Sequence, residues 1–283
     1  MLWMAAAGLV FTILNAILKL LSQDLEPLMV GFLRYALGML VILPTVLRLG
    51  VASLRPKAPK LQFARGVLHT AGIILWFAAL PTVKLAELTA IGFSGPIFVC
   101  LGAVLFLGER MTVARWVSVL LGFFGVLLVV LPSEGEAFTS ISRGTLLMLG
   151  SVPLFAASFL VAKILTRSER TEVMVLWQHV WTAALMLPFG LALWTNPSAW
   201  QWAILVFCGF LGAGGHYCMT RSFRRADISA VQPVKFLELI WATLLGLAMF
   251  GNLPTGATVL GGIVIMASTL WLARRESRGV ART

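Results

Sequence analysis

The sequence predicts an all-α membrane protein, with ten transmembrane helices in two inverted five-helix repeats, and three observations support this. Of 283 residues, 59% are apolar and only 12% are Asp, Glu, Lys or Arg, where a soluble domain carries about 25% charged residues. Apolar segments of about 20 residues, the length a helix needs to cross a ~30 Å hydrocarbon core, follow one another along nearly the whole chain. The chain also matches itself at an offset of about half its length.

The spans fall at 2–21, 28–49, 61–80, 84–107, 113–131, 144–166, 173–194, 200–222, 227–251 and 256–273. The first lacks the basic segment of a signal peptide and is followed by many similar spans, so it reads as retained. Span four, with Gly92, Gly95 and Pro96, and span nine, with Pro233, are the least regular and are expected to be broken or tilted. Connections are short, and the longest, Pro132–Arg143, is too short to fold as a domain.

The 22 basic and 11 acidic residues give a net charge of +11. Such an excess points to nucleic acid, to an anionic membrane surface or to topology, and its distribution decides between them. With the N-terminus in the cytoplasm, the cytoplasmic side receives Arg48, Arg55, Lys57, Lys60, Arg65, Arg110, Arg115, Arg167, Arg170, Arg221, Arg224, Arg225, Arg274, Arg275, Arg278 and Arg282. The far side receives only Lys84 and Arg143. This asymmetry follows the positive-inside rule and places both termini in the cytoplasm. The basic residues are dispersed along the chain, so no nucleic-acid partner is predicted; the lipid bilayer is the partner of the spans. Lys19, Arg34, Lys163 and Lys235 lie within or near the ends of spans. Cys100, Cys208 and Cys218 lie in apolar runs without C-x-x-C spacing, which argues against disulfides and zinc. Neither a metal nor a cofactor is predicted.

At an offset of 144, Lys19 falls on Lys163 and Leu43-Pro44 on Leu187-Pro188. At 143, Phe93 falls on Phe236, Gly108 on Gly251 and Thr112 on Thr255. Each unit holds five spans, an odd number, so the second enters the membrane from the opposite side. Inverted repeats of this kind enclose a midplane site that alternating access exposes to each side in turn. The expected division is a first repeat at 1–131, an extracytoplasmic linker at 132–143, a second repeat at 144–273 and a cytoplasmic basic tail at 274–283.

Several motifs together carry a family resemblance. They are Lys19, Pro27, Phe32-x-Arg34, Leu43-Pro44, Trp76-Phe77-Ala78-Ala79-Leu80, Pro96 and above all Leu107-Gly108-Glu109-Arg110, followed by Gly122 and Gly125. The whole chain resembles the EamA-type, ten-helix branch of the drug/metabolite transporter superfamily. It departs from the pattern at Gly251-Asn252, where the family usually has Gly-Glu, and it has no proline at the counterpart of Pro96. The resemblance implies a cavity formed by spans one, three, four, six, eight and nine. It also implies transport of small molecules, often outward across the bacterial inner membrane.

Ionisable groups inside a bilayer are costly and therefore candidates for function. Lys235 and Glu238 lead. On a continuous helix they lie roughly 12 and 17 Å from the cytoplasmic end and share one face at i,i+3. Their repeat counterparts, Gly92 and Gly95, offer room and backbone. A zwitterion would fit, with its ammonium on Glu238 and its carboxylate on Lys235; a self-neutralising ion pair is the plain alternative. His69, roughly 12 Å deep, is able to bind substrate or carry a proton, or is simply bonded to a carbonyl. Trp76, at i+7 from His69, is either an aromatic wall or an interface anchor. His216 and Tyr217 are weaker candidates. Arg34 is expected to snorkel to headgroups, Lys163 to be interfacial, and Trp177, Gln178, His179 and Trp181 to be packing or interfacial residues.

No P-loop run accompanies these spans, and no nucleophile–base or metal cluster is visible in the sequence, so a secondary transporter is preferred to a pump or an enzyme. The leading expectation is efflux of amino acids or related amphipathic metabolites by alternating access. The alternatives are an uptake carrier for an organic nutrient or nucleoside-like metabolite and, less favoured, a membrane-embedded enzyme. Proton coupling through Glu238 or His69 and facilitated diffusion both fit the sequence. So do a monomer and a homodimer, the latter through the Ser118-x-x-x-Gly122 face.

Overall fold

The computed structural model describes residues 1–48, 50, 52, 55–79, 91–130, 142–250 and 256–280. Among these it is helical, with α1 Leu2–Asp24, α2 Pro27–Arg48, α3 Pro59–Ala79, α4 Gly95–Leu107, α5 Val113–Val130 and α6 Arg143–Leu165. The remainder are α7 Thr171–Ala192, α8 Ala199–Arg225, α9 Ile228–Lys235, α10 Leu237–Phe250 and α11 Gly256–Val280. Among the described residues, seven helices or helix pairs are long and apolar enough to cross a membrane, and α4 and α5 are shorter apolar helices. Helices satisfy the backbone internally, as hydrocarbon requires. Lys84, Gly251, Asn252, Arg282 and all of the expected linker except its last two residues lie outside the described residues. Arg274 and Arg275 lie on α11 itself, where Arg275 stacks on Trp271.

Span nine is broken, as its irregular sequence predicted. Helix α9 ends at Lys235, Phe236 forms a turn, and α10 begins at Leu237. The Pro233 carbonyl, freed at the break, accepts from Phe236 N–H at 3.3 Å and from the Thr269 hydroxyl of α11 at 3.2 Å. Span four breaks at the equivalent place: residues 91–92 are helical, Phe93-Ser94 turn, and α4 follows. The Ser94 hydroxyl donates to the Ile91 carbonyl at 2.6 Å.

The packing pairs repeat when each span is advanced by five. Helix α3 packs on α6 as α8 packs on α1, and α2 packs on α8 as α7 packs on α3. Helix α4 packs on α6 as α9 and α10 pack on α1, while α2–α7, α5–α11 and α4–α9 are self-related pairs. Individual contacts obey the same exchange. A Cβ on Gly72 would come within 3.0 Å of Phe155, and one on its counterpart Gly215 would come within 2.7 Å of Phe11. Phe11 and Phe155 are themselves related by the 144 offset.

One end of the bundle gathers the starts of α3, α7 and α9 and the ends of α4, α6 and α8, and is here called the basic end. Lys163 is not merely interfacial there. Its ammonium donates to the Phe223 carbonyl at 2.7 Å and the Ala226 carbonyl at 2.6 Å, capping the C-terminus of α8. A cation suits that position because it meets unpaired carbonyls and the negative end of the helix dipole. Glu169 accepts from Ala58 N–H at 2.8 Å, just before α3 begins. The Ser118–Gly122 face is used within the chain rather than left for a second copy. Ser118 donates to the Ser268 carbonyl at 3.1 Å, and Gly122 lies against the Phe236 ring.

Candidate functional site

Two groups of polar side chains occupy the interior, and both draw on several spans. The first lies among α2, α3, α7 and α8. The Tyr35 hydroxyl and His69 Nε2 are 2.6 Å apart. Tyr35 also lies 5.3 Å from His179 and 6.2 Å from His216, measured between ring centroids. His216 in turn lies 5.3 Å from His69 and 5.7 Å from His179. All three histidines of the chain thus converge on one tyrosine, although 37 to 147 positions separate them in sequence. His179 Nδ1 is 2.8 Å from the Val175 carbonyl, so it carries the proton and donates to that oxygen. No group of His, Cys, Asp and Glu among the described residues could hold a metal ion.

Two arginines border this cluster, and neither sits where the sequence placed it. Arg34 does not snorkel: it is 5% exposed, with its guanidinium carbon 4.5 Å from the Tyr35 ring centroid. Arg65 is no loop charge: it is 1% exposed and donates to the Met174 carbonyl at 3.0 Å. Neither has an acidic partner among the described residues. His69, 4% exposed, already engages Tyr35 and sits deeper in the packing than a free substrate ligand would.

The second group surrounds the break in span nine. Lys235 closes α9 and Glu238 opens α10, so the turn at Phe236 replaces the continuous face expected of an i,i+3 pair. Both residues are half-buried, and among the described residues they form no ion pair with each other or with a neighbour. Lys235 Nζ stands 5.3 Å from the Phe159 ring centroid. The Glu238 side chain lies over Gly8 of α1, where a Cβ would come within 2.9 Å of its Cγ. Thr12, one turn on, donates to the Gly8 carbonyl at 2.8 Å.

Three half-buried phenylalanines lie between the two groups. Phe11 packs on His216 at 5.1 Å and Phe155 on His69 at 5.3 Å, while Phe155 stacks along Phe159 at 6.5 Å. A row of rings thus runs from His69 through Phe155 and Phe159 to Lys235.

The other predicted site residues are scattered. Gly92 and Gly95 face α6 instead of span nine: a Cβ at each would meet Met148 at 3.4 Å and Val152 at 3.8 Å. Trp76 is half-buried, with its ring 4.9 Å from that of the adjacent Phe77. Tyr217 lies near the basic end, its hydroxyl 3.5 Å from Glu172 and its ring 5.8 Å from the Arg221 guanidinium. His179, assigned above to packing or the interface, belongs to the central cluster. The repeat held the missed signal, since an offset of 144 sets Tyr35 on His179 and Phe11 on Phe155.

A family model described as the EamA-like transporter family matches residues 1–131 and 142–274. The chain belongs to the EamA-like transporter family. It is a multi-pass membrane protein and a transporter of the drug/metabolite superfamily, not an enzyme. A protein of Rhizobium johnstonii named riboflavin transporter is 35% identical to this EamA-family chain over 98% of it and 91% of the relative. A riboflavin transporter of Vibrio cholerae is 30% identical over 98% and 93%. An S-adenosylmethionine uptake transporter of Rickettsia conorii is 26% identical over 95% and 90%. A solved structure described only as "Crystal structure of protein" shares the fold, with a TM-score of 0.79 at 20% identity over 97% of this chain and 98% of that one. These names favour the uptake alternative over the leading expectation of amino-acid efflux.

Proposed function

We propose that this transporter takes up riboflavin, or a closely similar flat heteroaromatic with a polyol tail, across the bacterial inner membrane. In this reading the basic end and both termini are cytoplasmic, and the halves 1–131 and 144–273 rock against each other around the site. The distribution of Lys and Arg, fifteen to two once the buried Arg65 is set aside, supports that orientation. The relatives named riboflavin transporters support the substrate, and the relative named an S-adenosylmethionine uptake transporter supports the direction.

The observation that carries the reading is the aromatic row of Phe11, Phe155 and Phe159 near Lys235 and Glu238, which form no ion pair among the described residues. A tricyclic ring stacks well on such a row, each contact contributing about 0.5–1.5 kcal/mol beyond its area. Its imide edge presents one N–H between two carbonyls. Glu238 accepts from that N–H, and Lys235 donates to a flanking carbonyl. A zwitterionic amino acid would engage the two charges but leave the row unused. A proton-coupled cycle would run through Glu238 rather than through His69, whose Nε2 the Tyr35 hydroxyl already engages.

The test is counterflow in proteoliposomes loaded with unlabelled riboflavin. Saturable accumulation of labelled riboflavin, uncompeted by amino acids, is the expected result. Exchange of S-adenosylmethionine or amino acids in the absence of riboflavin exchange would overturn the proposal.

A further inference from the structure

At the basic end a single carboxylate joins the end of α4 to the start of α9. Gly108 takes φ +66° and ψ 22°, the left-handed turn that glycine adopts without a steric cost. Glu109 N–H then donates back to the Ala103 carbonyl at 3.1 Å, and the chain reverses toward α9. Glu109 Oε1 accepts from Ile228 N–H at 2.9 Å. Its Oε2 accepts from Ser229 N–H at 3.1 Å and from the Ser229 hydroxyl at 2.6 Å. Arg115, on α5, donates to Ser229 Oγ at 3.1 Å and pairs with Asp227 at 3.0 Å. The first amides of a helix have no intrahelical partner, and a carboxylate there gains both their hydrogen bonds and the helix dipole.

The inverted repeat supplies an internal comparison. At the offset of 143, Glu109 corresponds to Asn252, Arg115 to Thr258, Asp227 to Lys84 and Ser229 to Ala86. None of the four positions keeps its chemistry, so the sequence does not repeat this latch in the other half. An alternating-access carrier exchanges a state closed at one end for a state closed at the other. A charged latch that the sequence of the other half does not repeat biases that exchange. We propose that Glu109 and Ser229 latch the unloaded carrier shut at its basic end, so that the empty site rests open toward the opposite end. In the orientation proposed above the empty site then faces outward, which suits capture of a scarce nutrient. Only the naming of the two sides rests on that reading.

The test needs no substrate, so its failure leaves the riboflavin proposal standing and the converse also holds. The full chain is placed in lipid nanodiscs, with Cys100 and Cys218 changed to Ala and Ala230, buried just behind the latch, changed to Cys. Reaction of that cysteine with a polar maleimide reports opening of the basic end. Native Cys208, buried in an apolar cluster with Met29, Leu33 and Leu205, reports general loosening. Glu109→Gln, and separately the milder Ser229→Ala, should raise labelling at position 230 about tenfold or more, the size expected for lost bonds to a charged acceptor. Labelling of Cys208 should stay constant. Unchanged labelling at position 230, or a parallel rise at both cysteines, would overturn the latch.

Discussion

Phe93 and Phe236 lie with ring centroids 5.9 Å apart, each at the break in its own span and each the repeat counterpart of the other. Phe236 is buried against the bare backbone of Gly122 on α5. The two broken spans therefore meet through side chains at a place where neither is helical. Lipid tails are as apolar as a core, so the value of this contact lies in close packing more than in water exclusion. Phe236→Ala leaves a cavity that the surrounding helices cannot fill. Thermal unfolding in detergent should show a loss of roughly 3–5 kcal/mol. Gly122→Val, which drives a side chain into the same ring, should be similarly damaging.

Lys235 and Glu238 should matter to transport more than to folding, because neither forms an ion pair among the described residues. Glu238→Gln keeps the shape and removes the charge, while Lys235→Met keeps the stem and removes the ammonium. Each should raise the half-saturation constant for riboflavin about tenfold or more, the scale of one hydrogen bond to a charged group. Melting temperatures should stay near that of the parent. A double variant that transports like the parent would remove both residues from the site.

The Tyr35–His69 bond makes a third prediction. Tyr35→Phe removes the hydroxyl and leaves His69 Nε2 buried without its partner, at a cost of roughly 1–3 kcal/mol in stability. His69→Phe alone strands the hydroxyl in the same way. The double variant strands neither group, so its loss should fall short of the sum of the single losses. A double-mutant cycle read by thermal unfolding checks this, with a coupling of about 0.5–3 kcal/mol expected.

Much of the fold is legible because a bilayer makes the pattern simple. Long apolar runs mark spans, and the spans found begin within two residues of those expected wherever their starts are described, as at Pro27, Pro59 and Thr171. The site is less legible, for two physical reasons. Helical spacing places Lys235 and Glu238 on one face only if the helix runs unbroken through Phe236, and the turn there removes that premise. Tertiary convergence is the second: His69, His179 and His216 sit on different spans, and no local spacing relates them. Arg65 misleads in a related way. Near a span end it looks like an orientation signal, yet the Met174 carbonyl provides a partner within the bundle.

Lys19 and Lys163 occupy equivalent places in the two repeats but differ in setting. Lys163 is half-buried and holds the Phe223 and Ala226 carbonyls, whereas Lys19 is exposed. Lys163→Met keeps the apolar stem but leaves two carbonyls at the end of α8 without their cation. It should cost about 1–3 kcal/mol, since bonds to a charged donor are lost at a partly buried site. Lys19→Met, on an exposed surface, should stay within about 0.5 kcal/mol of the parent. Paired unfolding curves decide the matter: equal losses would mean that the cap on α8 contributes nothing beyond what any lysine near a membrane face provides.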